Sequence, residues 1–197
     1  MKKLFVIFFV ILVVVATIMI AKNDNKVPKG WIFNAPDKSK YEVGIDNSTY
    51  ESGKFSAFVI SHNNSEKEFG NLMQAIKAEN YLGKRLQLTA YIKSENVDKV
   101  QMWMRIDGQN QKEGKSLGFD NMGNRPVTGT TDWKQYSIVI DVPENAAVIN
   151  YGFLIVGTGK FWVDNVKIAE VDKTVPLTNM TFHYSLPSAP VNLDFEE

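Results

Sequence analysis

Three residues that could bind a polar ligand occur at alternate positions of one segment: Trp103, Arg105 and Asp107. In a β-strand, alternate side chains point to the same face, so the three would share one surface. A sugar ring presents C–H faces and hydroxyl edges, which flat aromatic rings and bidentate polar groups contact well. The spacing therefore predicts a ligand site centred on Trp103 and Arg105. In the alternative reading, Trp103 packs under a loop and Arg105 pairs with Asp107 at the rim.

Two other segments offer side chains that could extend this site. Alternate positions of an earlier segment carry the candidate neighbours Gln87, Thr89 and Tyr91. The polar stretch after Asp107 carries the further candidates Asn121, Arg125 and Trp133. Loops at the ends of β-sandwiches often hold binding residues, which is the reason to include them. Trp133 is also a candidate core anchor.

The residues that common catalytic mechanisms need are scarce. Cysteine is absent, which removes thiol nucleophiles, disulfides and soft metal sites. The two histidines, His62 and His183, are far apart in the chain, and neither an H-E-x-x-H nor a G-x-S-x-G motif occurs. Asp107 and Asp120 are the carboxylates that a glycosidase could use, but the sequence does not give their separation. We therefore predict that the protein is not an enzyme.

The elements that must position these residues are strands. Leu86, Leu88, Ala90 and Ile92 alternate with polar or aromatic residues, as expected for a strand with one face on the core. Segments of similar strand character, separated by turn residues, are predicted at 41–45, 54–61, 69–76, 86–93, 102–107, 115–119, 135–141, 150–156 and 161–168. Only residues 75–81 could contain a helical turn. Nine short strands without a long amphipathic helix predict an all-β fold, an antiparallel β-sandwich of the jelly-roll type.

Several sequence blocks support a more specific resemblance. They are ESGKFSA (51–57), YLGKRL (81–86), AYIKS (90–94), DWKQY (132–136) and GTGKFWVDNVK (157–167). In this order they resemble the strand blocks of galactose-binding-like jelly rolls, a group that includes many carbohydrate-binding modules. Residues 120–133 also resemble the version of this domain that accompanies AraC-type regulators in Gram-positive bacteria. The sequence contains no helix-turn-helix pair, so we expect no transcriptional function from that resemblance.

Asp164 is a candidate for a structural role. It alternates with Val166 and Ile168, which predicts that its carboxylate points inward and needs a cation or several hydrogen-bond donors. The resemblance implies a structural calcium ion held by Asp164 and Glu42, with carbonyl oxygens near Gly53 completing the ligands. The alternative is an aspartate that is hydrogen-bonded without a metal.

The two ends of the chain differ from its centre. Residues 4–21 are an apolar run in which Thr17 is the sole polar residue, and Lys2 and Lys3 precede it. Such a run predicts a membrane anchor at residues 1–21, inserted as a helix with the folded part outside the cell, or a signal segment whose cleavage would release a secreted protein. Residues 22–30 are predicted as a linker and 31–172 as the sandwich domain. Residues 173–197 contain three prolines and are predicted as a second linker, which ends either in the start of a truncated second module or in an added edge strand.

Charge limits the partners that the protein could bind. The 22 Lys and Arg residues balance the 22 Asp and Glu residues, so no net charge attracts nucleic acid. We expect a membrane-anchored extracytoplasmic module that binds carbohydrate or another polar ligand of the cell envelope. The alternative is a structural, protein-interaction or sensor domain with no sugar site.

Overall fold

A computed structural model describes residues 26–63, 65–109 and 116–178, which form an all-β fold. Its strands are β1 (Ile32–Asn34), β2 (Tyr41–Asp46), β3 (Ser56–Ser61), β4 (Phe69–Lys77), β5 (Arg85–Gly108), β6 (Gly118–Asp120), β7 (Val127–Asp141), β8 (Ala146–Val156) and β9 (Gly159–Val171). Two single turns of 3-10 helix, Lys38–Lys40 and Glu79–Tyr81, lie between strands. The second turn falls inside the segment where a helical turn was predicted.

All strand pairs are antiparallel, and β5 joins the two layers of a sandwich. The strands are ordered β1-β4-β8-β5-β9-β3-β2, with β6 and β7 also paired to β5. Residues 85–95 of β5 pair with β9 and, for the most part, β7. Residues 99–108 pair with β8, and residues 104–106 also pair with β6. One layer therefore contains β2, β3, β9, β7 and the first half of β5, and the other contains β1, β4, β8, β6 and its second half.

The change of layer within β5 occurs at a run of bulges. Its pairing with β7 shifts register after Ile92, Ser94 and Val97, and Asn96 has a φ of 50°. Each extra residue on one strand bends that strand and increases its twist. The bends allow a single 24-residue strand to serve both layers.

The core lies between the two layers and follows the alternation of each strand. In β5 the apolar side chains at even-numbered positions are buried on the inner face: Leu86, Leu88, Ala90, Ile92, Val100, Met102, Met104 and Ile106. Leu72 of β4, Phe153 of β8 and Phe161 of β9 complete its centre. The odd-numbered side chains of β5 consequently face outward in both halves.

The prediction of an all-β antiparallel fold is confirmed. Predicted segments 86–93 and 102–107 are parts of one strand, because the polar residues between them continue to pair through the bulges. The short strand β1 was not predicted. The apolar segment 1–21 and residues 179–197 lie outside the described part of the chain. In the part that is described, no helix is long and apolar enough to cross a membrane.

Candidate ligand-binding site

Trp103, Arg105 and Asp107 lie on the outer face of the second half of β5, and they share that face as the sequence predicts. Opposite them on β8 are Gly152 and Asn150, which pair with Trp103 and Arg105. We call this surface the tryptophan face and define it by six residues that point away from the core: Asn71, Gln101, Trp103, Arg105, Asp107 and Asn150.

Trp103 is held firmly in this face. Its indole N–H donates to Oδ1 of Asn71 on β4, at 2.8 Å, and only 8% of the residue is exposed. The indole reaches across β8 at Gly152, where no side chain stands in its way. A Cβ at position 152 would lie 2.3 Å from the carbonyl oxygen of Leu72. Trp103 therefore leaves less aromatic surface open to a ligand than the sequence suggested.

Arg105 and Asp107 form the charged part of the face. Nε and Nη2 of Arg105 donate to Oδ2 of Asp107 at 3.1 and 2.8 Å, and Nδ2 of Asn150 donates to the same oxygen at 2.7 Å. The side chain of Arg105 is 49% exposed and that of Asp107 is 23% exposed. The guanidinium is thus fixed in direction by Asp107 while part of it remains open to a ligand.

Three buried amides provide the neutral polar groups of the face. Asn71, Gln101 and Asn150 are between 6% and 9% exposed. Each uses one amide atom in a side-chain hydrogen bond: Oδ1 of Asn71, Nε2 of Gln101 and Nδ2 of Asn150. An amide carries both a donor group and an acceptor, so each residue retains a second group for hydroxyl contacts. The sequence analysis missed Asn71 and Asn150, although a lone asparagine in an apolar strand was a usable signal.

An exposed aromatic ring, Phe119, lies directly opposite Arg105 on the neighbouring strand β6. Phe119 of β6 pairs with Arg105 of β5 and is 38% exposed, whereas its neighbours Gly118 and Asp120 are buried. An exposed flat ring beside a guanidinium can pack against the C–H face of a sugar. Sequence reasoning placed Phe119 in a strand without assigning it a role.

Gln87, Thr89 and Tyr91 lie in the other layer, so the structure does not bring them to the tryptophan face. They point outward from the first half of β5, between β7 and β9. Gln87 and Thr89 line a polar cleft of about 330 Å³ together with Gln135, Ser137 and Lys167. We call this surface the glutamine cleft, and it is a second candidate location for a polar ligand.

The loop candidates have mainly structural contacts. Nη2 of Arg125 donates to Oδ2 of the fully buried Asp120 at 2.6 Å, which satisfies a carboxylate that would otherwise be costly to bury. The backbone carbonyl of Asn121 accepts from Gln101 and so connects this loop to the tryptophan face. Trp133 is partly buried on β7.

The two aspartates considered as a glycosidase pair point in opposite directions. Asp120 pairs with the inward-facing Met104 and is buried, whereas Asp107 is on the outer face. Catalytic carboxylates of such enzymes must flank one bond of the substrate. Asp107 and Asp120 therefore do not form that arrangement.

The predicted calcium ligands are also apart. Glu42 pairs with Ile60 and, across β3, is level with Lys160, four residues before Asp164 in β9. At about 3.3 Å per residue this is a separation of roughly 13 Å along the strand. Glu42 contacts His62 at 2.9 Å, whereas Asp164 accepts hydrogen bonds from the backbone N–H groups of Glu51, Ser52 and Asn165.

This donor set does not fit a calcium ion. Calcium requires six to eight oxygen ligands, and N–H groups directed at the carboxylate occupy the positions that a cation would need. Asp164 fits the alternative of a hydrogen-bonded aspartate. Among the residues with described positions, no group of three or more His, Cys, Asp or Glu side chains is arranged to hold a metal ion.

The fold is similar to the jelly-roll fold of carbohydrate-binding modules. The xylan-binding CBM22-1 domain of Paenibacillus barcinonensis Xyn10C is similar with a TM-score of 0.52 and 11% identity, covering 76% of this chain and 92% of that domain. A Stig cyclase, Fisc, from Fischerella sp. TAU is similar with a TM-score of 0.55 and 15% identity, covering 76% and 88%. At these identities the likeness shows the fold alone.

A sequence relative is more similar than these structures. The chain is 44% identical over 175 residues to the uncharacterized HTH-type transcriptional regulator YbfP of Bacillus subtilis (strain 168). The match covers 88% of this chain and spans 58% of the relative's length. This match agrees with the resemblance of residues 120–133 to a domain that accompanies transcriptional regulators. No protein-family profile matches the chain.

Proposed function

We propose that the sandwich is a noncatalytic binding module for carbohydrate or another polar ligand of the cell envelope, and that the tryptophan face contacts this ligand. The observation that carries the proposal is the fixed polar row on that face. Arg105, Asn71 and Asn150 are each oriented by a side-chain partner and still have groups available for a ligand. Groups that are oriented before binding lose little conformational entropy on binding, which favours affinity.

The similar fold of a xylan-binding domain supports a role as a binding module. The fold does not identify the ligand of this protein, because one fold carries many functions. A cyclase has the same fold, so the noncatalytic part of the proposal rests on the arrangement of residues in this chain. Asp107 and Asp120 point to opposite faces, and the mixed amide and guanidinium groups of the tryptophan face suit binding of hydroxyl groups.

The experiment is a glycan array probed with the full-length chain in a neutral detergent. We expect retention on a polysaccharide or oligosaccharide of the cell envelope, and loss of that retention in Arg105→Ala. A control array is probed with Lys134→Ala, which changes an exposed cation on β7 outside both polar surfaces. A full-length chain that is retained by none of the glycans would contradict the carbohydrate part of the proposal.

A sensor domain is the second candidate function, and the similarity to a regulator favours it. In that role the module would report ligand binding to another part of a protein. The chain spans only 58% of that relative, so the activity of the whole relative is not transferred to it. Ligand binding is common to both candidates, and a partner protein that associates only with the ligand-bound chain would distinguish the sensor.

The location outside the cell is also a proposal, and it rests on the apolar run at residues 4–21. We expect residues 1–21 to remain attached as an anchor, because the run is long and Met19 occupies a position where signal peptidases prefer a small residue. Intact-mass analysis of the membrane fraction measures this directly. A mature chain that begins near Lys22 would show instead that the segment is a cleaved signal.

A further inference from the structure

A second cavity opens between the two layers, away from the tryptophan face. It has a volume of about 350 Å³, and its lining includes Trp31, Ile45, Phe55, Gln74, Tyr151 and Asn165. Trp31 precedes β1 and Tyr151 is on β8, whereas Ile45 is on β2 of the other layer. We call this cavity the edge crevice, because it lies where β1 and β2, the two outermost strands, leave the sandwich open.

Aromatic and aliphatic side chains form the apolar part of the edge crevice. Trp31 packs edge-on against Tyr151, with ring centroids 6.0 Å apart and an interplanar angle of 83°. Ile45 lies in the row of Ala57 and Val163, yet it is 40% exposed. Phe55 is 58% exposed. Large apolar side chains that remain accessible around one concave site are typical of a surface that binds another molecule.

Two carboxylates lie close to the edge crevice, those of Asp164 and Glu51. Asp164 lines the cavity and accepts the N–H groups of Glu51 and Ser52. Nδ2 of Asn165, which also lines it, donates to Oε2 of Glu51 at 3.2 Å. No lysine, arginine or histidine within residues 26–63, 65–109 and 116–178 forms an ion pair with either carboxylate; the ion pairs found there involve other acids.

This combination matches one class of ligand. Aromatic faces attract cations, and nearby carboxylates add to that attraction while they repel anions. We propose that the edge crevice binds a small organic ammonium compound, whose apolar body packs against Trp31 and Phe55 and whose charge lies near the carboxylate of Glu51. Asp164, whose oxygens already accept N–H groups, adds an attraction at longer range without direct contact. The volume accommodates a compound with one or two rings. This site is independent of the carbohydrate proposal, since it uses other residues at another place on the sandwich.

The test uses three probes of similar shape and different charge: 1-naphthylmethylammonium, 1-naphthalenemethanol and 1-naphthoate. Each is titrated into the full-length chain in neutral detergent, with the same detergent alone as the blank, and binding is followed by calorimetry. We expect the cation to bind at least tenfold more tightly than the anion, with the neutral alcohol between them. Equal binding of cation and anion would overturn the proposal, and so would no binding of the cation above the blank at millimolar concentration.

Two variants with matched controls place the binding in the edge crevice. Glu51→Gln removes a charge but retains an acceptor for Asn165, and Glu42→Gln removes a charge from the same layer at a distant position. Phe55→Ala removes an exposed ring from the crevice, and Phe69→Ala removes an exposed ring from β4. We expect about tenfold weaker binding of the cation in the crevice variants alone. Equal losses in each variant and its control would contradict the assignment.

Discussion

At the scale of single residues, Trp103 shows how an aromatic side chain can face outward and still be buried. Its indole donates to Asn71 and the residue is only 8% exposed, although it is not part of the core cluster. Residue type and spacing predicted its face correctly. The alternative interpretation also included its packing and the pairing of Arg105 with Asp107, but it placed Trp103 under a loop, whereas its partner Asn71 is on β4, 32 residues away in sequence.

Replacement of Trp103 should therefore affect stability. We expect Trp103→Ala to lower the free energy of unfolding by roughly 3 kcal/mol, the range found when a buried ring is removed. Trp103→Phe keeps most of the apolar volume but leaves Oδ1 of Asn71 without its donor, which costs about 1 kcal/mol. Thermal unfolding of the full-length chain, followed by near-UV circular dichroism, measures both.

The matched control for this experiment is Phe119→Ala, which removes an exposed ring from the same layer. Its effect should stay within about 0.5 kcal/mol, as is usual for surface positions. A Trp103→Ala protein as stable as Phe119→Ala would mean that the indole is open to solvent. In that case Trp103 would again be a candidate for the aromatic platform of a sugar site.

At the scale of elements, two aspartates hold the loop between β2 and β3. Oδ1 of Asp46 accepts from the backbone N–H groups of Ser48 and Thr49, and Oδ2 accepts from the indole of Trp162 at 2.8 Å. Asp164 accepts from Glu51 and Ser52 further along the same loop. Both contacts join residues that are more than 110 positions apart, so they fix the loop to β9.

The pKa of Asp46 makes this attachment sensitive to acid. Burial alone would raise this pKa, but the hydrogen bonds from Ser48, Trp162 and Thr49 lower it from 3.8 to about 2. Because the pKa is lower in the folded state, the ionised carboxylate stabilises the fold. That contribution is complete above the unfolded pKa of about 4 and is lost as the pH falls through about 2.

We expect the wild-type protein to lose about 2 kcal/mol more stability than Asp46→Asn between pH 5 and pH 2. Denaturant unfolding of both proteins across this range is the measurement. The other aspartates with lowered pKa values, Asp37, Asp132 and Asp172, are present in both proteins, so their contributions cancel. Parallel stability curves for the two proteins would show that Asp46 does not hold the loop.

The strands were more predictable than their lengths. Period-two patterns located most of them, because an alternating strand shows its buried face directly in the sequence. Residues 95–98, Glu-Asn-Val-Asp, interrupt that pattern and resemble a turn. The positive φ of Asn96 confirms a local irregularity, yet backbone pairing with β7 and β9 carries the strand through it. Pairing with distant strands outweighs local sequence preference at this position.

At the scale of the whole molecule, the arrangement of strands decides which residues become neighbours. The tryptophan face is completed by Asn71 from β4 and Asn150 from β8, which follow from the order β4-β8-β5. Alternation predicts the face on which a side chain lies, but it does not predict the neighbouring strand. Sequence reasoning for this reason grouped Gln87, Thr89 and Tyr91 with Trp103, whereas the bend of β5 puts them in different layers.

Carbohydrate should bind to the tryptophan face and not to the glutamine cleft. The most direct measurement is calorimetric titration of a glycan retained on the array into wild-type, Arg105→Ala and Lys167→Ala full-length chains. Lys167 lines the glutamine cleft in the other layer, so the two variants each remove one cation from one of the two surfaces. Loss of charge-assisted hydrogen bonds should weaken binding about 10- to 100-fold in Arg105→Ala. Lys167→Ala should bind like the wild type. Weaker binding in Lys167→Ala with unchanged binding in Arg105→Ala would instead place the carbohydrate in the glutamine cleft.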